Sequence, residues 1–327
     1  MRIIFMGTPE FAVPSLCALA AGGYELAAVV TRPDRPRRSS SSRPGPSPVK
    51  IEAMRLGIPL WQPESVRAPA FVDLVRETAP ETIVVVAFGQ ILPPAILDLP
   101  PRWCINLHAS ALPAYRGAAP IARAIMAGET RTGLTTMRMD RGLDTGDILM
   151  TRGCDIVPQE TAGELTSRLA GIGADLLLET LVAHARDALQ PRPQDASRAT
   201  YAPALRRDDG SINWDEPSRA VANRVRGCNP WPLAAAGLRG GRIQILRAME
   251  GPVDEVAAGS RTARPGTTPP PGSVVGASGE RLIVACGGGS LLSVLELRFP
   301  GRRAIAARDA LNGRLVGTDD RFTPPPS

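Results

Sequence analysis

Lysine is all but missing from this chain: of its 38 Lys and Arg residues only Lys50 is a lysine, so arginine carries the positive charge. Aromatic residues amount to 4%, so any core must be filled by aliphatic side chains. The five cysteines (Cys17, Cys104, Cys154, Cys228, Cys286) are scattered, odd in number and nowhere spaced Cys-x-x-Cys. That pattern argues against a disulfide framework and against a thiolate-ligated metal, and it suits a reducing cytoplasm. No stretch of about 18 apolar residues occurs, so no membrane-spanning helix is expected. The apolar start is interrupted by Pro9, Glu10 and Pro14, which argues against a secretory leader. A dinucleotide fingerprint is also missing. The first apolar run ends in Gly7-Thr8-Pro9, with proline where the second glycine would stand, and there is no P-loop. Histidine occurs twice, at 108 and 184, so few imidazoles compete for proton transfer.

What is present is a strong alternation of element types. Arg2–Met6 reads as a buried strand, followed by a helix that Thr8 caps and Pro9 opens, running to Ala21. Strands are expected at 25–31, 83–87, 103–108, 134–140 and 148–156, and helices at 51–56, 71–78 and 121–127. Thr161-x-x-Glu164 is a capping box, and Leu165, Leu169, Ile172 and Leu176 recur at helical spacing toward 189. His184 falls on the polar side of that helix and reads as solvated. Such alternation predicts an α/β fold with a doubly wound parallel sheet, in which ligands bind beyond the carboxyl ends of the strands.

After residue 189 the pattern changes. Residues 190–207 read as a linker, and 208–327 hold one clear helix at 218–226 and several short strands, the spacing of a small β-barrel. Residues 251–272 are rich in Pro and Gly and read as a disordered insertion. Residues 323–327 read as a loose tail. The net charge is +6; residues 1–189 are neutral, and 190–327 carry the whole excess. Within the neutral half, Arg32, Arg35, Arg37, Arg38, Arg43 and Lys50 face only Asp34 across residues 31–50. A basic loop and a basic second half suit a polyanionic partner, and equally a solvated basic face.

The chemistry concentrates in Asn106-Leu107-His108-Ala109-Ser110 and in Gly142-Leu143-Asp144-Thr145-Gly146. On an extended strand Asn106 and His108 point to the same side. An amide donor, an imidazole and a carboxylate are the parts that hold an oxyanion and move a proton. His108 alone reads equally as a satisfied strand-end histidine, and Asp144 alone as a turn residue.

These segments, with Arg116-Gly117-Ala118-Ala119-Pro120, Gly7-Thr8-Pro9-Glu10-Phe11, Ser47-Pro48-Val49-Lys50 and Asn229-Pro230-Trp231-Pro232, resemble the 10-formyltetrahydrofolate-dependent formyltransferases. The resemblance is to the two-domain branch acting on initiator methionyl-tRNA. It implies a Rossmann-like catalytic domain over 1–189 and an OB-like, tRNA-binding domain over 208–327. It implies Asn106, His108 and Asp144 as catalytic residues, 10-formyltetrahydrofolate as formyl donor, and no metal. The folate site it implies comprises Phe88, Gly89, Gln90, Ile91, Leu92, Ser110, Pro113, Asp140 and Leu143. The tRNA contacts it implies are Arg35, Arg37, Arg38, Arg43, Lys50, Arg206 and Arg207. Arg138 and Arg141 depart from the family pattern close to the proposed site. A cytoplasmic monomer is expected, with no membrane partner. Two rivals stand beside this reading: a formyltransferase for an amino-sugar nucleotide, and a non-catalytic RNA- or folate-binding protein.

Overall fold

Ile3, Ile4, Phe5 and Met6 form an unbroken apolar run, and in the computed structural model all four are fully buried in strand β1 (Arg2–Gly7). A strand apolar on every residue must be covered on both faces, which places it at the centre of a layered sheet. The structure describes residues 1–36, 44–251 and 269–326. The chain divides into two units: Met1–Pro120, Arg131–Asp155 and Thr166–Pro203 form the first, and Ile121–Thr130, Ile156–Leu165 and Ala204–Ser327 the second.

The first unit is built on β1, β2 (Glu25–Val30), the two-residue strands β3 (Arg35–Pro36), β4 (Pro44–Gly45) and β5 (Leu60–Trp61), β6 (Thr82–Val86), β7 (Cys104–His108), β8 (Arg131–Arg138) and β9 (Ile148–Asp155). Its seven-stranded sheet has the order β5-β2-β1-β6-β7-β8-β9, with β3 and β4 paired apart. Helices α1 (Val13–Ala21), α2 (Pro48–Arg55), α3 (Pro69–Thr78) and α4 (Pro94–Leu97) fall between the strands, α5 (Pro120–Ala127) follows β7, and α6 (Ala162–Ala185) follows β9. The expected parallel sheet is present over its first five strands. At β7–β8 and β8–β9 the pairing turns antiparallel. The loop 139–147 between β8 and β9 is too short for the crossover of a dozen or more residues that a parallel return requires.

Two local expectations are corrected. Thr8 does not cap a helix: the chain passes through a 3-10 turn at Glu10–Ala12 before α1. The Thr8 hydroxyl instead donates to the Phe88 carbonyl (3.1 Å) and accepts the Arg32 amide (3.3 Å), tying together the segments that leave β1, β2 and β6. The helix expected from Ile51 starts earlier, at Pro48, because the Ser47 hydroxyl accepts the Lys50 amide and proline suits the first helical position.

In the second unit, α7 (Ser218–Gly227) packs on an antiparallel sheet of β10 (Ala234–Leu238), β11 (Gly241–Glu250), β12 (Val274–Ser278), β13 (Arg281–Ala285), β14 (Leu291–Arg298) and β15 (Ala304–Ala306), with α8 (Ala307–Asn312) after it. Val221, Val225, Ile245, Leu282, Val284 and Leu297 share its core. The tail is not loose throughout. Thr323 and Gly237 exchange two backbone hydrogen bonds, and Asp320 and Phe322 bond to Val274 and Gly272. The segment 320–323 therefore satisfies both sheet edges, at β10 and beside β12, and brings them together as a small barrel requires. Phe322 is buried and stacks on Trp214 at 5.4 Å. Of the expected insertion, residues 252–268 lie outside the described residues. The expected linker 190–207 is no free connector, since its residues through Pro203 belong to the first unit.

The capping box at the start of α6 forms as expected. The Thr161 amide donates to Glu164 Oε2 (2.9 Å), and the Glu164 amide donates to the Thr161 hydroxyl (3.2 Å). The Thr161 amide and then the Arg247 guanidinium hold the Glu164 carboxyl down to about 2. A carboxylate with a depressed folded-state pKa stabilises the fold above its ordinary value, and that contribution disappears as pH falls toward the depressed one. Thr161→Ala should lower unfolding stability by about 1 kcal/mol at pH 7 in denaturant titrations. Glu164→Gln should also cost stability at pH 7. Its deficit should shrink as the pH is lowered from about 4.5 toward 2.

Candidate active site

Asn106 and His108 lie on β7, where Asn106 pairs with Val85 on one side and Met137 on the other, and His108 pairs with Thr135. The two-residue period turns both side chains to one face of the sheet. Both are nearly buried, at 8% and 7% exposure. Among the described residues no protein group bonds the Asn106 side-chain amide, which leaves its donors to a ligand.

His108 is held on one side and faces a carboxylate on the other. Its Nε2 lies 3.0 Å from the Tyr115 carbonyl, which only accepts, so Nε2 carries a proton. The Nδ1 nitrogen then faces Asp144, with Oδ2 at 3.7 Å. The turn that presents Tyr115 is itself fixed. The Thr135 hydroxyl accepts the Leu112 amide (3.1 Å) and donates to the Ser110 carbonyl (2.8 Å), and the Ser110 hydroxyl donates to the Ala114 carbonyl (2.6 Å). Tyr115 adopts a left-handed φ of 59°, and its amide donates to the Thr200 hydroxyl (2.8 Å).

Asp144 sits in the loop after β8 with φ 53°, a conformation that costs a non-glycine residue on the order of 1 kcal/mol and persists only where its surroundings impose it. The Asp140 carboxylate winds the loop by accepting the Gly142 amide (3.0 Å) and the Thr145 hydroxyl (2.7 Å). Gly146 is required, because a Cβ there would meet the Arg138 carbonyl oxygen at 1.8 Å. The Asp144 carboxylate is aimed by the Gly117 amide, which donates to Oδ2 at 2.8 Å. Gly117 has φ 120° and would place a Cβ 2.7 Å from the Ala202 carbonyl oxygen, so only glycine presents its amide in this way. Arg116-Gly117 stood out in sequence as a motif without a role. Its role is backbone geometry, which side-chain chemistry does not announce.

Other expected residues separate into distinct environments. Phe88 and Leu92 are buried and pack with Cys104 and Met139 in one hydrophobic cluster. Ile91 and Leu143 are exposed. Gln90 accepts the Val66 amide through its side chain, Gly89 has φ 82°, and Pro113 follows Leu112 through a cis peptide. A cavity of about 510 Å³ lies against the Asp144 loop, lined by Leu97, Trp103, Cys104, Met139, Asp140 and Gly146 among others. Arg138 places its guanidinium over the Trp103 ring (4.9 Å), and Arg141 reaches toward Asp98 (4.0 Å). His184 is corrected: it is buried, its ring stacks on Trp103 at 4.6 Å, and Nε2 bonds the Arg102 carbonyl at 2.9 Å.

Of the expected tRNA contacts, Arg37, Arg38 and Arg43 lie outside the described residues, and Arg35 opens β3. Lys50 donates to Asp34 Oδ2 (2.6 Å) and to Gln62 Oε1 (2.8 Å), so its ammonium braces the base of the basic segment. That bond, and next the Gln62 amide, hold the Asp34 carboxyl below its ordinary range. Arg206 and Arg207 are exposed in the second unit.

Comparison with known proteins follows the same division. The formyl transferase family matches residues 1–181, and the formyl transferase C-terminal domain matches residues 204–315. The methionyl-tRNA formyltransferase of Heliobacterium modesticaldum is 47% identical, covering 98% of this chain and 100% of its own. That of Solibacter usitatus is 44% identical, covering 98% of each. Among solved structures, WlaRD, a sugar 3N-formyl transferase crystallised with dTDP and 5-N-formyl-THF, superposes with a TM-score of 0.65 over 93% of this chain and 99% of that one, at 16% identity.

All five cysteines are free. Cys104 borders the cavity, but burial and then the nearby Asp98 push its thiol up to about 12. The thiolate is the reactive form, so Cys104 offers no nucleophile near neutrality. Native protein at pH 8 should resist alkylation at Cys104, with labelling by mass spectrometry appearing only after unfolding.

Proposed function

The chain belongs to the methionyl-tRNA formyltransferase family, and from that premise we propose that it transfers the formyl group of 10-formyltetrahydrofolate to the α-amino group of initiator methionyl-tRNA. The observation that carries the catalytic assignment is the gathering, within one unit, of the unpaired Asn106 amide, the oriented His108 ring and an Asp144 carboxylate 3.7 Å from that ring.

The attacking amine is itself the nucleophile, so no covalent enzyme intermediate is needed. As its nitrogen bonds to the formyl carbon, the carbonyl electron pair moves onto oxygen. Asn106 donates to that oxyanion; an aimed donor of this kind is worth about 3–4 kcal/mol of barrier. The amine must then lose a proton, and the departing folate nitrogen must gain one. His108 performs this exchange at Nδ1, because Nε2–H is engaged by the Tyr115 carbonyl. Asp144, aimed by the Gly117 amide, stabilises the imidazolium that forms between the two transfers.

The cavity beside the Asp144 loop suits a polar-edged, partly apolar ring system: Leu97, Trp103, Cys104 and Met139 supply apolar walls, and Asp98, Arg138, Asp140, Arg141 and Asp147 supply charged ones. Exposed Ile91 and Leu143 offer further apolar contact for the same donor. Arginine at 35, 37, 38, 43, 206 and 207 would neutralise tRNA phosphates and make binding salt-dependent. Lys50 would act there through its hold on Asp34. The sugar-nucleotide alternative is less favoured, since the sugar enzyme shares only the fold at 16% identity. A monomer working in the cytoplasm completes the reading; the five free cysteines suit a reducing compartment.

The test is formylation of methionyl-tRNA by pure protein with 10-formyltetrahydrofolate, run beside an amino-sugar nucleotide as acceptor. Asn106→Ala should lower kcat by about 10²- to 10³-fold. His108→Ala and Asp144→Asn should lower it strongly while leaving the circular dichroism spectrum unchanged. Gly117→Ala should reduce turnover by displacing the amide that aims Asp144. Parental rates in all four variants would remove the assignment.

A further inference from the structure

The segment that reads as a linker in sequence lies along the first unit. Arg192 and Ile148, the first residue of β9, exchange two backbone hydrogen bonds (2.8 and 2.9 Å). Ten residues further, Ala202 bonds the Arg116 carbonyl (2.7 Å) and receives the Ala119 amide (3.1 Å). Between these anchors Gln194 turns inward. Its Nε2 donates to the Asp144 carbonyl (2.9 Å) and to the Gly146 carbonyl (2.7 Å). Its Oε1 accepts from Arg116 Nε (3.1 Å) and Nη2 (2.7 Å).

This amide has no freedom left. Guanidinium nitrogens do not accept and carbonyl oxygens do not donate, so the two ends of the amide cannot be exchanged. Both donors and both acceptor positions are used. Glutamate offers oxygen at both ends and cannot donate to the loop; asparagine is one methylene shorter. Arg116 is only 5% exposed, and the next residue supplies the amide that grips the Asp144 carboxylate. Asp144 is thus held at two points: by its carboxylate through Gly117, and by its main chain through Gln194, which is fixed in turn by Arg116.

We infer that Gln194 is a positioning residue for formyl transfer, locking the left-handed backbone of Asp144 so that its carboxylate stays directed at His108. The inference rests on the catalytic reading of Asp144 given above. Gln194 touches neither reacting atom and acts only through the loop. Its role therefore differs from that of a residue that merely holds the segment in place.

Gln194→Glu separates the two roles. Glutamate keeps acceptors for Arg116 and gains an ion pair with it, which offsets the two lost bonds to the loop carbonyls, so thermal stability should stay close to that of the parent. The two donors to the loop are gone, so kcat for methionyl-tRNA formylation should fall 10- to 100-fold, with KM for both substrates within about twofold. Gln194→Ala should lose both stability and turnover. A purely structural Gln194 would instead give activity that follows stability, with the glutamate variant as active as the parent, and that result overturns the inference. In single-turnover assays the Gln194→Glu loss should vanish in an Asp144→Ala background, since nothing remains to be positioned. A loss of full size in that background also overturns it. If Asp144→Ala alone keeps parental turnover, the catalytic reading fails instead, and the two failures are told apart.

Discussion

The amide of Gly117 meets the Asp144 carboxylate at 2.8 Å, and this hydrogen bond joins two loops that lie 27 residues apart in the chain. The chemistry of the first unit depends on it. Without that donor the carboxylate has no fixed direction, and His108 Nδ1 loses the negative charge that faces it. The bond requires a backbone that only glycine adopts at 117, and a left-handed aspartate at 144. Neither conformation is favourable by itself, and each is held by neighbours that are rigid for independent reasons.

Those neighbours are ordinary sheet and turn. Strands β1 and β6 are almost wholly apolar and β7 carries Ile105 and Leu107 opposite its polar face, all of them buried, which gives the site a stiff floor despite a chain with few aromatics. Polar groups buried next to that floor are bonded in series. Thr135 links the turn after His108 to β8, Ser110 closes the same turn, and Thr8 ties together the segments leaving three strands. Thr135 satisfies backbone groups that are buried, Ser110 and Thr8 ones that are part-buried, and each bond removes a degree of freedom from the site.

The legibility of these parts varied with how local their causes are. The Thr161–Glu164 capping box and the start of α2 at Ser47-Pro48 follow rules that span three or four residues. The box was recognised, and the earlier start of α2 obeys the same capping rule. Asn106 and His108 were legible as a pair because strand geometry alone puts alternate residues on one face. Asp144 was ambiguous, since a turn aspartate and a catalytic one look alike until the other loop is placed beside it. Thr8 reads as a cap in sequence because its true partners, Phe88 and Arg32, lie far along the chain. His184 reads as a surface residue because the helix pattern does not reveal Trp103 beneath it. The supposed linker and tail have weak periodicity and polar composition, yet both are bound through their backbones, whose hydrogen bonds carry no side-chain signature.

The residues alone determined the α/β character of the first part, the β character of the second, the strand that carries Asn106 and His108, and the family to which those motifs point. All of these arise from periodicity and short motifs, which act over a few residues and survive without knowledge of the fold. Tertiary structure alone decided the antiparallel turn of the sheet, the meeting of Asp144 with His108, the role of Gly117 and the grip of Gln194 on the loop. Each of these depends on groups distant in sequence arriving within hydrogen-bonding or ion-pairing range, and that distance is set by the packing of the whole sheet.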